Sequence, residues 1–185
     1  LNRQKVNIEE KTRIAKMAAA LVSDGDTIMI EAGTTTALIA RHLPGNQDVH
    51  VVTNSSLLLR YSRTNPLLNL ILTGGEFRPM TESFVGSIAR REVERFNVRY
   101  AFVGTDGFSV DNGLTTHLVE GAEIVRVMSS RAEKTVLVAD STKYGRAGFA
   151  AVLPLTDIDI LITDDGIDSE AKRQVADLGI DVQIT

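Results

Sequence analysis

Six short apolar runs, each ending in a small polar cluster, most constrain how this chain can fold. The runs are rich in Val, Ile and Leu and lie at 27–31, 50–53, 70–73, 101–104, 136–140 and 160–163. Runs of this length predict parallel β-strands that are buried on both faces. The polar clusters that follow them read EAGTTT, TNSS, TGG, GTDG, DSTK and TDDG. Because open α/β sheets bind ligands beyond the carboxyl ends of their strands, these clusters predict a site for an anionic small molecule that carries hydroxyl groups.

Amphipathic segments alternate with the apolar runs. Predicted helices cover 7–23, 35–42, 55–63, 85–95, 119–131 and 168–178. This alternation predicts an α/β fold with an open, mostly parallel sheet and helices on both faces. Short strands are also predicted at 150–153 and 181–184. Residues 74–84 and 105–118 are expected to be irregular loops that could hold a small lobe or lid.

Size, composition and charge narrow the class of protein. The 185 residues correspond to one domain, 1–185, whose composition of 43% hydrophobic and 24% charged residues is ordinary for a globular protein. The chain has no cysteine, which excludes disulfides and thiolate metal sites, and it has no long apolar run, so we expect a cytoplasmic protein without a membrane partner. The net charge is −4, and the basic residues Arg90, Arg91 and Arg95 are expected on a solvated helix face. The chain alone is therefore a poor candidate for binding DNA.

The sharpest local signal is the sequence EAGTTT after the first predicted strand. Gly33 permits a tight turn there. The next three residues, Thr34, Thr35 and Thr36, offer backbone N–H groups and hydroxyls at the start of a helix, where the helix dipole favours an anion. Such a loop can bind a phosphate without containing a lysine. The alternative is a plain strand–turn–helix in which a threonine only caps the helix.

Two neighbouring strands end in similar ways. Thr53, Asn54 and Ser55 open the next predicted helix, and Gly74 and Gly75 would permit close approach of the backbone to a ligand. Taken singly, these residues are equally well explained as a helix cap and a turn. Their occurrence on adjacent strands favours a shared ligand site.

The remaining candidates come after the fourth and fifth strands. They are Gly104, Asp106, Gly107, Glu120 and Lys143. Asp106 could accept hydrogen bonds from sugar hydroxyls, and Lys143 could reach a phosphate as a point charge. Ordinary explanations stay open: a turn aspartate, a carboxylate that stabilises a helix dipole, and a surface lysine.

Several other kinds of site lack support. His42, His50 and His117 show no metal-ligand spacing, and the sequence contains no GxSxG, P-loop or GxGxxG motif. We therefore expect no metal and no cofactor, and a hydrolase, kinase or dinucleotide-binding function is not indicated.

Taken together, the motifs resemble a known family over nearly the whole chain. The matching blocks are DGDTIMIEAGTTTALIARHL, VVTNS, LILTGGEFR, SFVG, AFVGTDGF, GLTT, VLVADSTKYGR and LITD, in this order. The chain resembles the C-terminal effector-sensing domain of DeoR-type bacterial transcriptional repressors. The blocks GTDGF, GLTT and DSTKYGR look most like the branch that responds to phosphorylated sugars, hexosamines or sugar alcohols.

The resemblance implies a fold, partners and residue roles. The fold is expected to be similar to that of ribose-5-phosphate isomerases, glucosamine-6-phosphate deaminases and CoA transferases. The glycine–threonine loop at 33–36 is expected to bind the phosphate, and the other candidates are expected to line the neighbouring loops and the far side of the pocket. An N-terminal winged helix-turn-helix, absent from this sequence, is expected to bind operator DNA. A homo-oligomer, dimer or tetramer, is also expected because operator half-sites are read by symmetric proteins.

Three functions follow from these observations. The first is a sensor domain that binds a phosphorylated sugar or sugar alcohol without turnover, because the stretches GTDG and GLTT lack one acid and the lysine that the isomerases carry. The alternative is an active sugar-phosphate isomerase or deaminase that uses Asp106, Glu120 or Glu123, and Lys143. The third is an oligomerisation module with a vestigial pocket. The sequence does not identify the sugar phosphate, the direction of the response or the target genes.

Overall fold

Seven parallel strands form the central sheet of the described chain. The structure, a computed structural model, describes residues 5–43, 45, 47–63 and 65–185. Its strands are β1 (Thr27–Ile30), β2 (Val49–Thr53), β3 (Leu68–Leu72), β4 (Glu76–Arg78), β5 (Ser83–Val85), β6 (Val98–Val103), β7 (Gly107–Ser109), β8 (Gly113–Thr116), β9 (Ala132–Val138), β10 (Ala150–Leu153), β11 (Ile160–Thr163) and β12 (Asp181–Ile184). The central sheet has the order β12-β11-β9-β6-β1-β2-β3, and every neighbouring pair in it is parallel.

Helices cover both faces of this sheet. They are α1 (Ile8–Ala19), α2 (Thr34–Arg41), α3 (Leu59–Ser62), α4 (Gly86–Val93), α5 (Val119–Ser130) and α6 (Ser169–Ala176). The strands alternate between two cores, as a strand buried on both faces must. In β1, Ile28 and Ile30 pack in the core that includes α1 and α2, whereas Met29 packs in the core that includes α4, α5 and α6. The predicted open parallel sheet with helices on both faces is confirmed.

The two stretches expected to be irregular contain short antiparallel strands. In the first stretch, β4 pairs with β5 to form a hairpin that extends one residue beyond 74–84. In the second stretch, 105–118, β7 pairs with β8. β8 also pairs with β10, which makes a three-stranded sheet beside the central one. The four strands of the two hairpins read EFR, SFV, GFS and GLTT, and they are too short and too polar to show the apolar run that marks a strand in a sequence.

Two helix boundaries also differ from the sequence prediction. The helix expected over 7–23 ends at Ala19, because the next backbone bonds, such as Val22 N–H to Ala19 O, span only three residues. The helix expected over 55–63 begins as a 3₁₀ turn at Ser56–Leu58 and becomes α-helical only in α3.

The order of the strands reverses between β1 and β6. From β1 the chain adds β2 and β3 on one side, then crosses to β6 and adds β9, β11 and β12 on the other side. In open α/β sheets a crevice opens at the carboxyl end of such a switch point. The loops that begin at residues 31 and 104 lie there. None of the described helices is long and apolar enough to cross a membrane.

Candidate functional site

The glycine–threonine loop presents free backbone donors at the switch point. Gly33 has an extended backbone, with φ −164°, and α2 begins at the next residue. The first intrahelical bond is donated by the Ala37 N–H to the Gly33 carbonyl, so the N–H groups of Thr34, Thr35 and Thr36 have no partner in the described part of the chain. Free N–H groups at a helix start are suited to bind an anion.

A buried hydroxyl lies directly beneath this loop. Thr36 is 0% exposed, and its Oγ1 has no hydrogen-bond partner among the described residues. A Cβ added to Gly33 would lie 2.8 Å from this oxygen, which is closer than real Cβ atoms approach. The glycine therefore keeps the space above the hydroxyl open.

Glu31 links the loops after β1 and β6. Its Oε2 accepts a hydrogen bond of 3.2 Å from the Gly104 N–H. The same oxygen lies 3.6 Å from the point where a Gly33 Cβ would be and 3.5 Å from that of Gly104. Glu31 is not among the residues predicted from the sequence, although its position as the first residue after a buried strand could have indicated it.

The cluster at the end of β2 supports the glycine–threonine loop from the side. Thr53 Oγ1 donates to the Ile30 carbonyl at 2.5 Å, and Asn54 Oδ1 accepts from the Ala32 N–H at 2.9 Å. Ser55 is 0% exposed, and within the described residues its Oγ has no partner. Thr53 and Asn54 thus hold the backbone before Gly33, whereas the Ser55 hydroxyl is unused.

The diglycine after β3 packs against α4. The Gly74 N–H donates to Glu92 Oε2 at 2.6 Å. Gly75 has φ 121°, and a Cβ there would lie 2.6 Å from the Val85 carbonyl oxygen. The close approach that Gly75 permits is to the protein's own backbone, and the Gly74 donor is occupied.

Asp106 organises the turn between β6 and the small sheet. Its Oδ2 accepts from the Thr116 hydroxyl at 3.0 Å and from the His117 N–H at 2.9 Å. Next to it, a Cβ on Gly107 would lie only 2.2 Å from the Arg146 carbonyl oxygen, so the loop after β9 passes directly over this glycine. The structure therefore joins the Asp106 turn to the loop that carries Lys143.

Lys143 ends a short 3₁₀ turn, Ser141–Lys143, that follows β9. The side chain is half-buried, and its ammonium has no partner in the ranges that the structure describes. The start of the turn is held by two buried carboxylates, because Asp140 Oδ1 accepts from the Thr142 N–H and Asp164 Oδ1 from the Ser141 N–H. β9 and β1 are separated only by β6, so Lys143 and the glycine–threonine loop both lie at the carboxyl ends of the central strands.

Glu120 is paired with Arg78, a cation that was not among the predicted site residues. Arg78 of β4 donates to Glu120 Oε1 at 2.9 Å and also contacts Glu76 at 3.1 Å. Hydrogen bonding by its own backbone N–H at the start of α5 and by Arg78 lowers the pKa of Glu120. Arg78 stands in the block LTGGEFR, but only the hairpin brings it to α5.

Two clefts lie away from these loops. One, of about 350 Å³, is lined by residues 110–113 and 151–156 together with Leu178. The other, of about 300 Å³, lies at 97–98 and 130–133 beside Thr27, where strands of the sheet begin. None of the residues that line these two clefts is a predicted site residue. No group of three or more His, Asp or Glu among the described residues is arranged to hold a metal ion.

An open α/β sheet with free backbone donors at its switch point is typical of domains that bind small molecules, and comparison with known proteins identifies the family. The DeoR C terminal sensor domain matches residues 6–165. The HTH-type transcriptional regulator GlpR of Haloferax volcanii is 36% identical over 177 residues, which are 95% of this chain and 69% of that protein. The uncharacterized HTH-type transcriptional regulator YgbI of Escherichia coli is 36% identical over 164 residues, which are 89% of this chain and 64% of that protein.

The chain belongs to the DeoR family of transcriptional regulators and forms its C-terminal sensor domain. It is thus part of a regulator rather than an enzyme. The chain spans about two thirds of the length of these relatives.

Solved structures confirm the fold. The ribose 5-phosphate isomerase A of Methanocaldococcus jannaschii superimposes with a TM-score of 0.54 at 20% identity, covering 75% of this chain and 55% of that one. The eIF2B delta of Chaetomium thermophilum superimposes with a TM-score of 0.56 at 14% identity, covering 76% and 50%. At these identities the likeness concerns the fold alone.

Proposed function

We propose that this sensor domain binds a phosphorylated sugar or sugar alcohol without turnover and that binding controls an attached DNA-binding unit. The observation that carries the proposal is the start of α2, where three unpartnered N–H groups lie above the buried Thr36 hydroxyl at the switch point of the sheet. Donors at a helix start, together with the helix dipole, suit a phosphate.

Side chains on the neighbouring loops, at the same carboxyl ends of the strands, supply further groups that suit a sugar phosphate. The Lys143 ammonium supports the phosphate as a point charge. Asp106 and Glu31, on the loops after β6 and β1, support the binding of hydroxyl groups because carboxylates accept hydrogen bonds. Arg78, in the β4–β5 hairpin, supplies a second cation, which forms an ion pair with Glu120.

The placement of the acids argues against turnover. A general base must reach its proton and hold a suitable pKa. Asp106 Oδ2 accepts two hydrogen bonds from residues 116 and 117, and Glu120 is paired with Arg78, which helps to lower its pKa. Both carboxylates are therefore engaged by groups of the protein itself, which argues against their use as a general base.

The regulatory part of the proposal concerns the longer protein. A ligand shifts a conformational equilibrium only by its differential affinity for the two states, and a coupling of about 1–3 kcal/mol is typical of such switches. We propose that the domain works in the cytoplasm as a homo-oligomer, a dimer or tetramer, so that operator half-sites are read by paired helix-turn-helix units.

Thermal shift with matched valine variants tests the site. Hexose and hexitol 6-phosphates should raise the melting temperature of the wild-type chain more than their unphosphorylated parents do, because bound ligand stabilises the native state. Thr36→Val should leave the unliganded melting temperature unchanged or higher, since it replaces an unpartnered buried hydroxyl by a methyl group. It should at the same time reduce the shift caused by the phosphorylated compounds.

Thr163→Val is the matched control. Thr163 is also 0% exposed with an unpartnered Oγ1 in the described chain, but it ends β11, three strands from β1. Its substitution should leave the ligand-induced shift intact. Equal losses in the two variants would contradict the phosphate assignment. The absence of any shift with millimolar phosphorylated sugars would contradict ligand binding, and turnover that Asp106→Asn abolishes would favour the isomerase or deaminase.

A further inference from the structure

The residue that precedes α1 is bonded to the turn that carries Lys143. Asn7 Nδ2 donates to Asp140 Oδ1 at 3.1 Å and, at 3.5 Å, to the Thr142 hydroxyl oxygen. The same Asp140 oxygen accepts the Thr142 N–H at 3.2 Å and also the Thr142 hydroxyl. Because Asp140 is 2% exposed, Asn7 and the turn share one buried acceptor.

The backbone of Asn7 sets the direction in which the chain enters α1. Its φ of 53° and ψ of 41° lie in the left-handed region, and its side chain does not cap the helix. Asparagine adopts this region more readily than most residues, but the right-handed region is the default for an L-residue. A change to the right-handed region would redirect the preceding chain and move the side chain away from Asp140. The bond to Asp140 therefore favours one of two backbone conformations at Asn7.

The turn on the other side of this bond is short and contains a candidate ligand group. The Lys143 N–H donates to the Asp140 carbonyl at 3.0 Å. An anion that pairs with the Lys143 ammonium would restrain this residue and, with it, the three-residue turn. Since Thr142 and Asn7 donate to the same carboxylate oxygen, a restrained turn also holds the acceptor of Asn7 in place.

We propose that Asn7 couples the ligand site to the chain that precedes α1. An anion bound by Lys143 stabilises the turn, the turn fixes the Asp140 carboxylate, and the carboxylate holds Asn7 in its left-handed conformation. The inference rests on the proposed function, because it requires a phosphorylated ligand that contacts Lys143. It adds the route by which binding reaches a DNA-binding unit, since the sensor domain is the C-terminal part of regulators in this family.

Hydrogen exchange of the Lys11 backbone amide, followed by NMR, tests the coupling. This N–H donates to the Asn7 carbonyl at 3.0 Å, so its exchange rate reports the conformation of Asn7. The probes are glucose 6-phosphate and sorbitol 6-phosphate, with glucose and sorbitol as unphosphorylated controls. Near saturation, the phosphorylated probe that raises the melting temperature more should slow this exchange by about fivefold or more. The amides at 16–20, at the far end of the helix, should change by less than about twofold.

Two variants remove the coupling in different ways. Asn7→Gly lacks the side chain but adopts the left-handed region freely. Asn7→Asp keeps the shape and much of the tolerance for that region, but it replaces the Nδ2 donor by an acceptor. Both variants should still gain melting temperature from the phosphorylated probe, whereas the response of the Lys11 amide should fall below about twofold. A purely structural role would raise the exchange without ligand and leave the response to ligand intact.

Arg13→Gln is the matched control. Arg13 also joins α1 to a loop that follows a central strand, because its Nη2 lies 3.6 Å from Asp165 Oδ1. Asp165 follows β11 and is not part of the turn that carries Lys143. This variant should therefore keep the full response of the Lys11 amide.

The outcomes distinguish the two proposals. Equal responses in the wild type and the Asn7 variants would overturn the coupling and leave the proposed function standing. The same conclusion follows if the probe raises the melting temperature of the wild type without slowing the exchange. Loss of the response in Arg13→Gln would assign it to the general packing of α1 and overturn the role of Asn7. Failure of every probe to raise the melting temperature of the wild type would overturn both proposals.

Discussion

Asp164 is a buried acid whose charge the fold stabilises. It is 4% exposed at the end of β11, and it accepts from the Ser141 N–H, the Ser141 hydroxyl and the Gly166 N–H. Burial disfavours its charged form, but these hydrogen bonds outweigh burial and hold the pKa of Asp164 below its ordinary value. The carboxylate thereby fixes the start of the turn that carries Lys143.

Asp164→Asn should therefore lower the free energy of unfolding at neutral pH by about 1–3 kcal/mol. A depressed pKa means that the stabilisation is complete above the unfolded value of about 4 and is lost as the pH falls through the lower folded value. Chemical denaturation of the wild type and of Asp164→Asn between neutral and acidic pH should thus show that the difference in their free energies of unfolding becomes smaller as the pH falls.

The neighbouring Asp165 provides the control. Its side chain is 80% exposed, and Arg13 lies 3.6 Å away. Asp165→Asn should change stability by less than about 1 kcal/mol. A loss for Asp164→Asn that did not depend on pH would show that lost packing, rather than the charge, is responsible.

The structural roles of individual residues differ in how far the sequence predicts them. The donors at 34–36 are predictable because a strand, a glycine and a helix start follow one another within a few residues. The role of Asn54 is not predictable, since its amide bridges Ala32, which is 22 residues away, and Phe84, which is 30 residues away. The pairings of Glu31 with Gly104 and of Arg78 with Glu120 are not predictable for the same reason, since the two residues of each pair are distant in the sequence.

At the scale of elements, α1 begins beside the candidate site. Asn7 precedes the helix in a left-handed conformation, with φ 53° and ψ 41°, and its side chain does not cap the helix. Instead, its Nδ2 donates to Asp140 Oδ1 at 3.1 Å, at the base of the turn that carries Lys143. The start of α1 is thus tied to a loop at the carboxyl ends of the central strands, where the candidate site lies.

Two substitutions of Asn7 separate the contribution of its side-chain hydrogen bond to stability from the cost of its left-handed backbone conformation. Asn7→Gly should destabilise the chain by about 1–3 kcal/mol, because the buried Asp140 loses a donor. Asn7→Ala should cost about 1 kcal/mol more, since alanine tolerates the left-handed region less well than asparagine or glycine. Denaturant unfolding of the three proteins measures both effects, and equal stabilities of the two variants would contradict the strain.

Regular elements were predictable where hydrophobic periodicity is strong. The strands of the central sheet and the helices α2, α4, α5 and α6 lie close to their predicted positions. The hairpins at β4–β5 and β7–β8 were missed because their pairing is antiparallel, short and polar. They form where the folded sheet and the loop after β9 offer partners, as at Gly107 beneath Arg146.

For the whole molecule, charge limits the partners that this chain can bind alone. The net charge is −4, and Arg90 and Arg91 lie on the exposed side of α4, with Arg90 3.6 Å from Glu94. DNA-binding surfaces need a concentrated positive field.

We therefore expect this chain to bind duplex DNA no more tightly than about 10⁻⁴ M at physiological salt, whatever the sequence of the duplex. Fluorescence anisotropy of labelled duplexes checks this, with the salt concentration lowered stepwise as an internal control. Sequence-dependent binding at micromolar concentrations would mean that the sensor domain itself contacts the operator.

Local patterns of residues were sufficient to establish the α/β class, the helices on both faces and the polar loops after the strands. Those features depend on the alternation of side chains over four to twelve residues, which is present in the chain before it folds. The position of the switch point between β1 and β6 and the pairing of Glu31 with Gly104 follow instead from the order of strands in the sheet. The strand order depends on the simultaneous burial of both faces of the sheet, so it is determined only when the two cores pack against it.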